Sequence, residues 1–364
     1  MICQGLYITP MANYEILDDI SPESLAKYDQ ILDVRSPAEF AEDHLPGAIN
    51  LPVLDDEERA IVGTTYKQVS PFAARKQGAA LVARNISQHI KLSLSDKDAG
   101  YRPLIHCWRG GMRSRSMALV LSAIGWQVTL LRGGYQTWRR EVVACLEKDG
   151  CALPIVLIDG QTGVAKTAVL EEMSNLGAQT IDLEGMANHR GSVFGGHPQS
   201  AQPSQKYFET CIWNKLRAMD FRQPVYVEAE SSLVGVRRVP ARLWKSMKTA
   251  PRVTIHAAMI ARAKYLVGAY PELISDRDRL CDAIDQLASR HSKTLLETWH
   301  QLASDGAHRE LAEQLITHHY DPAYNRARVR REARSALSVH TETLDPPAIA
   351  KLAREILAQS VETA

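Results

Sequence analysis

No run of the chain approaches the ~18 consecutive apolar residues that a bilayer span needs. The opening residues, MICQGLYITPMANYEILDD, show no basic stretch leading into an apolar core. A cytoplasmic protein with no membrane partner is the expectation. The six cysteines (Cys3, Cys107, Cys145, Cys151, Cys211, Cys281) form no CxxC pair and stand in no zinc-like spacing with histidine, which argues against a structural zinc site and a disulfide framework. Net charge is also lacking: 43 Lys and Arg face 42 Asp and Glu, for a formal charge of +1. A nucleic-acid surface would therefore have to come from local clustering. One cluster exists, Arg326, Arg328, Arg330, Arg331 and Arg334, opposed only by Glu332. It fits phosphate binding and an ordinary solvated helix face equally well.

What is present is ordinary globular material. Hydrophobic residues make up 45% and charged residues 23% of 364, and that length suggests two domains. Strand-like runs at Gln30 to Val34, Pro103 to His106 and Gln127 to Leu131 alternate with helical patterns, predicting an α/β layer. A loop-prone break follows Asp149, and a second α/β pattern restarts at Ile155 to Ile158. Further strands are expected at Thr180 to Leu183, Val225 to Val227 and Val253 to His256, then a largely helical region from about Glu272, a strand at Leu337 to Thr341 and a helix from about Pro347. The predicted division is residues 1–148, an α/β domain, and 149–364, a doubly wound α/β domain with a helical C-terminal part. Between Asn188 and Ser204 lies a long stretch rich in Gly, Ser, Pro and Gln, and such loops inside compact domains are usually functional or disordered.

The first candidate site is Cys107. It follows the strand Pro103 to His106 and enters a turn, Trp108-Arg109-Gly110-Gly111, before a helix expected near Arg113. Such a turn can aim backbone N–H groups into one concavity at the positive end of a helix, beside Arg109 and Arg113, which would favour a nucleophilic thiolate. A buried structural cysteine is the bland alternative. The string His106-Cys107, five residues, Arg113-Ser114 also satisfies the signature of cysteine-dependent phosphatases.

The second candidate is a phosphate loop. The strand Ile155 to Ile158 leads through Gly160, Gly163, Val164 and Ala165 to Lys166 and Thr167 at a helix start. In this order backbone N–H groups wrap a phosphate, lysine neutralises it and threonine can hold Mg²⁺. Ala165 stands where the motif carries glycine, which puts tight nucleotide binding in doubt. Glu228 and Glu230, at the end of another strand, could orient a metal or a base, or be merely solvated; the metal itself is not identified. Glu184, His189 and Arg190 open the long loop and are candidates for substrate binding, with Arg190 suited to a phosphate.

The flanking segments carry resemblances. Asp33 to Phe40 with His44 to Asn50 resembles the opening signature of rhodanese domains, and Leu131 to Trp138 their closing one. The resemblance implies a rhodanese-like first domain with a chalcogen carried on Cys107 as a persulfide or its selenium counterpart. The loop is one residue longer than in common sulfurtransferases, which reads as room for a larger chalcogen or a phosphate-bearing donor. Asp33 and Arg35 read as a stabilising pair. Longer matches, Ala48 to Arg59, Val62 to Gln68, Asp182 to Ser192, Gln202 to Gln205 and Tyr320 to Tyr324, make the chain similar to the bacterial tRNA 2-selenouridine synthase family. That resemblance implies a P-loop NTPase-like second domain and a transferase acting on the wobble 2-thiouridine of tRNAs for Lys, Glu and Gln. Its co-substrates would be geranyl diphosphate and selenophosphate, with no covalently bound cofactor and with Mg²⁺ an open question. Two rivals stand beside it: a cysteine-dependent phosphatase, and a regulatory nucleotide-binding protein with an inert rhodanese module.

Overall fold

The structure, a computed structural model, describes residues 14–147, 152–191, 194–196, 201–329 and 335–361. The chain divides into two compact units, Met1–Lys148 with Ser204–Asn214, and Asp149–Pro203 with Lys215–Ala364.

In the first unit, five parallel strands, β1 (Glu15–Leu17), β2 (Gln30–Asp33), β3 (Ala48–Asn50), β4 (Pro103–His106) and β5 (Thr129–Leu131), lie in the order β1-β5-β4-β2-β3. Every residue of β4 is buried, as expected of a central strand covered on both faces of a parallel sheet. Leu32, Val34 and Ile105 pack with Met117, Ala118 and Leu121 of the helix Met112–Ile124. That helix stops at Gly125, whose φ of 109° supplies the left-handed cap. Arg35 and Asp33 pair as expected: Arg35 Nη2 lies 2.6 Å from Asp33 Oδ2, both side chains at most 1% exposed. Arg35 also donates to the Asp43 carbonyl at 2.6 Å and sits 4.0 Å from the Tyr135 ring centroid.

One element of this unit comes from far along the chain. The segment Ser204–Asn214 carries most of the helix Gln205–Leu216. Its Thr210 accepts from the Trp138 indole at 3.3 Å, Trp213 meets Trp138 edge-on at 4.5 Å between ring centroids, and Tyr207 stacks on His44 at 4.3 Å. Arg139 and Glu209 form an ion pair beside them. Trp138 is fully buried, so this helix completes part of the unit's core.

The second unit is built on another parallel sheet, β6 (Ile155–Gly160), β7 (Gln179–Ile181), β8 (Val225–Glu228), β11 (Arg252–Ala257) and β12 (Ser335–Thr341), in the order β12-β11-β6-β8-β7. A short antiparallel pair, β9 (Leu233–Val234) and β10 (Arg237–Arg238), stands apart from it. Ile158, Val253, Ile255 and Val339 form the apolar sheet face, covered by Val169 and Leu170 of the helix Lys166–Asn175 and by Leu352 and Ile356 of the helix Pro346–Val361. β6 is central, flanked by β11 and β8, so the loop after it opens at the carboxyl ends of the strands, where ligands of open α/β sheets bind. A helical part, with Leu280, Ile284, Trp299, Leu311 and Leu315 in its core, completes the unit.

Candidate active site

In the first unit Cys107 follows β4 directly and is 3% exposed. The Gly111 N–H donates to its sulfur at 3.2 Å, and Ser114 Oγ lies 3.2 Å from the same atom. The turn is fixed from behind by the closing signature: Tyr135 N–H donates to the Cys107 carbonyl at 2.8 Å and Gln136 N–H to that of Trp108 at 3.1 Å. Gly134 permits this closeness. A Cβ there would fall 2.2 Å from the Cys107 carbonyl oxygen, and its φ of +60° would strain any side chain.

The two arginines expected beside the thiol differ in role. Arg109 is exposed on the turn. Arg113 is clamped by Glu39, with Nη1 to Oε2 at 2.6 Å and Nη2 to Oε1 at 3.2 Å. Burial pushes the Glu39 carboxyl up, and its bonds and charge pairing with Arg113 outweigh that, so it sits below its ordinary value. An Arg113 held bidentately by a carboxylate has less of its fork left for a phosphate ester, which weighs against the phosphatase reading. His106 is fully buried, and burial lowers its pKa.

In the second unit the loop after β6 runs into the helix Lys166–Asn175. Ala165 adopts φ 61° and ψ 34°, the left-handed conformation that the usual glycine would take without strain, and is 4% exposed. Such a residue costs about 1–2 kcal/mol. Lys166 Nζ lies 3.4 Å from the Gly160 carbonyl, across the mouth of the loop. Gly160 packs so closely that a Cβ would lie 2.7 Å from both the Ile255 carbonyl oxygen and a Val164 methyl.

The loop is braced from outside. Arg262, 2% exposed, donates to the Thr162 carbonyl at 2.9 Å and to Gln161 Oε1 at 3.2 Å, while Asp321 grips its other edge at 3.0 and 2.6 Å. Tyr324 donates to Asp159 Oδ1 at 3.3 Å. Sequence reasoning placed Asp321 and Tyr324 only in a family motif and missed Arg262, since a brace made across 100 residues leaves no local pattern.

A cavity of about 490 Å³ opens over the loop. Gly163, Val164, Ala165, Lys166 and Thr167 line it, together with Glu184, His189, Arg190 and Glu230 and with Tyr265, Leu266 and Tyr270. Four of the five candidates outside the phosphate loop thus converge. The exception is Glu228. It is fully buried, accepts the Leu183 N–H at 2.9 Å and does not line the cavity; burial, with the charges of Asp182 and Glu184, raises its pKa well above the carboxylate range. Neither a ligand-facing group nor a solvated one, it belongs to the scaffold. Arg190 stacks its guanidinium 4.8 Å from the Tyr270 ring centroid.

Thr167 donates to Glu184 Oε2 at 3.2 Å. Burial first, then the charge of neighbouring Glu230, raises the Glu184 pKa to about 8 against the opposing pull of Lys166. Among the described residues no group of three or more His, Cys, Asp or Glu converges as a metal cage would. The arginine run after Tyr324 is only partly visible: Arg330, Arg331 and Arg334 lie outside the described residues. Among the described residues no helix is long and apolar enough to cross a membrane.

A rhodanese-like unit with its cysteine loop, joined in one chain to a phosphate-loop α/β unit, defines a two-unit class, and comparison with known proteins agrees. The rhodanese-like domain family matches residues 17–141, and the family described as tRNA 2-selenouridine synthase AAA domain matches residues 153–295. A tRNA 2-selenouridine synthase of Alcanivorax borkumensis is 33% identical over 330 residues, covering 83% of this chain and 90% of the relative. One from Nitrosomonas europaea is 34% identical, covering 77% and 74%, and one from Pseudomonas syringae pv. tomato 33%, covering 84% and 90%. The chain belongs to the tRNA 2-selenouridine synthase family.

Proposed function

We propose that this protein is a cytoplasmic transferase that replaces the sulfur of wobble 2-thiouridine in tRNAs for Lys, Glu and Gln with selenium, by way of an S-geranyl intermediate. In the first step the thiocarbonyl sulfur attacks C1 of geranyl diphosphate; the C–S bond forms, the C–O bond breaks and diphosphate leaves. Lys166 and the loop N–H groups stabilise the charge growing on that leaving group. In the second step the selenium of selenophosphate attacks C2 of the base and the geranylthiolate departs, after which water cleaves the Se–P bond and phosphate leaves. Cys107 and the turn Trp108 to Gly111 hold the selenophosphate anion for that attack, and selenium stays at the selenide level throughout.

The observation that carries this reading is the composition of the cavity over the phosphate loop. Lys166 and loop amides suit a diphosphate, while Tyr265, Leu266 and Tyr270 in the same lining offer ring faces and aliphatic surface against which a hydrocarbon can pack. The test is nucleoside analysis of bulk tRNA from cells lacking the gene. The expected result is loss of 2-selenouridine with 2-thiouridine retained. Persistence of 2-selenouridine in cells with no other source of it contradicts the reading.

A further inference from the structure

Beside the phosphate cavity lies a second, narrower space. The two share a wall made of Leu266, Tyr270 and Tyr320. Beyond it the lining turns mostly apolar, with Val267 from the helix Met259–Ala269 beside Phe194, Leu273, Leu311 and Leu315, and His308 among them. Polarity therefore falls in one direction: lysine and backbone amides, then tyrosine rings, then leucines. An apolar slot adjoining an anion cradle across Leu266, Tyr270 and Tyr320 is complementary to an amphiphile.

We propose that this slot seats the hydrocarbon tail of the diphosphate and that its size sets a ceiling on chain length; the proposal rests on the reading that the phosphate loop binds a prenyl diphosphate. The slot measures about 70 Å³, small beside the roughly 300–1,000 Å³ of a drug-sized site, which suits a short branched hydrocarbon such as one isoprene unit. With the diphosphate at Lys166, the proximal isoprene of a ten-carbon chain passes the tyrosine wall and the distal one fills the slot. A third isoprene would extend past the leucine lining and gain no further burial.

The test is calorimetric titration of the full chain with inorganic pyrophosphate and with dimethylallyl, geranyl and farnesyl diphosphates. Geranyl diphosphate should bind about 10- to 100-fold tighter than dimethylallyl diphosphate, the gain from burying five further carbons less the cost of ordering them, and farnesyl diphosphate no tighter than geranyl. Val267→Phe, which fills the slot, should weaken geranyl diphosphate binding about tenfold and leave pyrophosphate within twofold. If pyrophosphate binds but geranyl diphosphate binds no tighter, or farnesyl gains as much again, the slot assignment falls while the phosphate-loop reading stands. The same holds if Val267→Phe keeps pyrophosphate binding and loses nothing with geranyl diphosphate. Should the variant fail to fold, the series on the unaltered chain decides alone. Binding of none of the four overturns the diphosphate reading and the slot with it.

Discussion

Ala165 carries the phosphate loop through a left-handed turn that glycine would make freely, and the half-buried Glu184 beside it, its pKa raised to about 8, keeps its proton well above the ordinary carboxylate range. Both place free energy of the folded chain in the service of the site. For Glu184 the consequence is measurable. Its proton is held more tightly in the folded state than in the unfolded one, where the ordinary value is 4.5. Stability therefore falls as pH rises from about 4.5 to 8 and levels off above. Thermal melts across that window should show a shallower decline in Glu184→Gln, shrunken rather than abolished because Glu228 shifts in the same direction. An identical decline in the variant would show that the carboxyl ionises normally. Of the single residues, Cys107, Lys166 and Thr167 were legible because their chemistry needs a local turn. Glu228 and Glu230 were not separable: strand alternation puts both on one face, but β8 ends at Glu228 and the Glu230 N–H turns back onto the Glu228 carbonyl at 2.8 Å.

Elements with continuous apolar runs were read closely from the sequence, as β4 and β6 show. β1, β3, β9 and β10, two or three residues each, were missed; length alone is not the reason, since β5 and β7 are also three residues long, and all four exist by pairing with other strands. Nothing local says that most of the helix Gln205–Leu216 joins the first unit; that follows from where Trp138 and His44 find their partners. The Arg262 brace belongs to this scale too, linking the helices Met259–Ala269 and Asp321–Val329 to the phosphate loop. Asp321→Ala leaves a guanidinium only 3% exposed without its carboxylate. It should cost about 3 kcal/mol of stability and weaken pyrophosphate binding as the loop loosens, read by denaturant melts and titration. Unchanged stability would mean that Arg262 finds another partner.

Across the whole molecule, the balance of 43 basic and 42 acidic side chains leaves tRNA affinity to local clusters. Replacing Arg328, Arg330 and Arg331 with Gln should weaken binding to every substrate tRNA and flatten its salt dependence by about 0.7–0.9 log units for each phosphate no longer neutralised. An unchanged slope assigns that run to solvent. The family was legible because its motifs extend over both units, whereas the element and prenyl donor came from that resemblance alone: cysteine, glycines and arginines say only that an anion is held. The proposed division of labour between the units meets its most direct test in the nucleosides formed by two variants on thiolated tRNA supplied with geranyl diphosphate and selenophosphate. Cys107→Ala should accumulate S-geranyl-2-thiouridine, because prenyl transfer needs diphosphate stabilisation and no thiol. Lys166→Ala should leave 2-thiouridine untouched. Absence of the S-geranyl nucleoside with a folded Cys107→Ala protein would contradict the assignment of the two steps to two units.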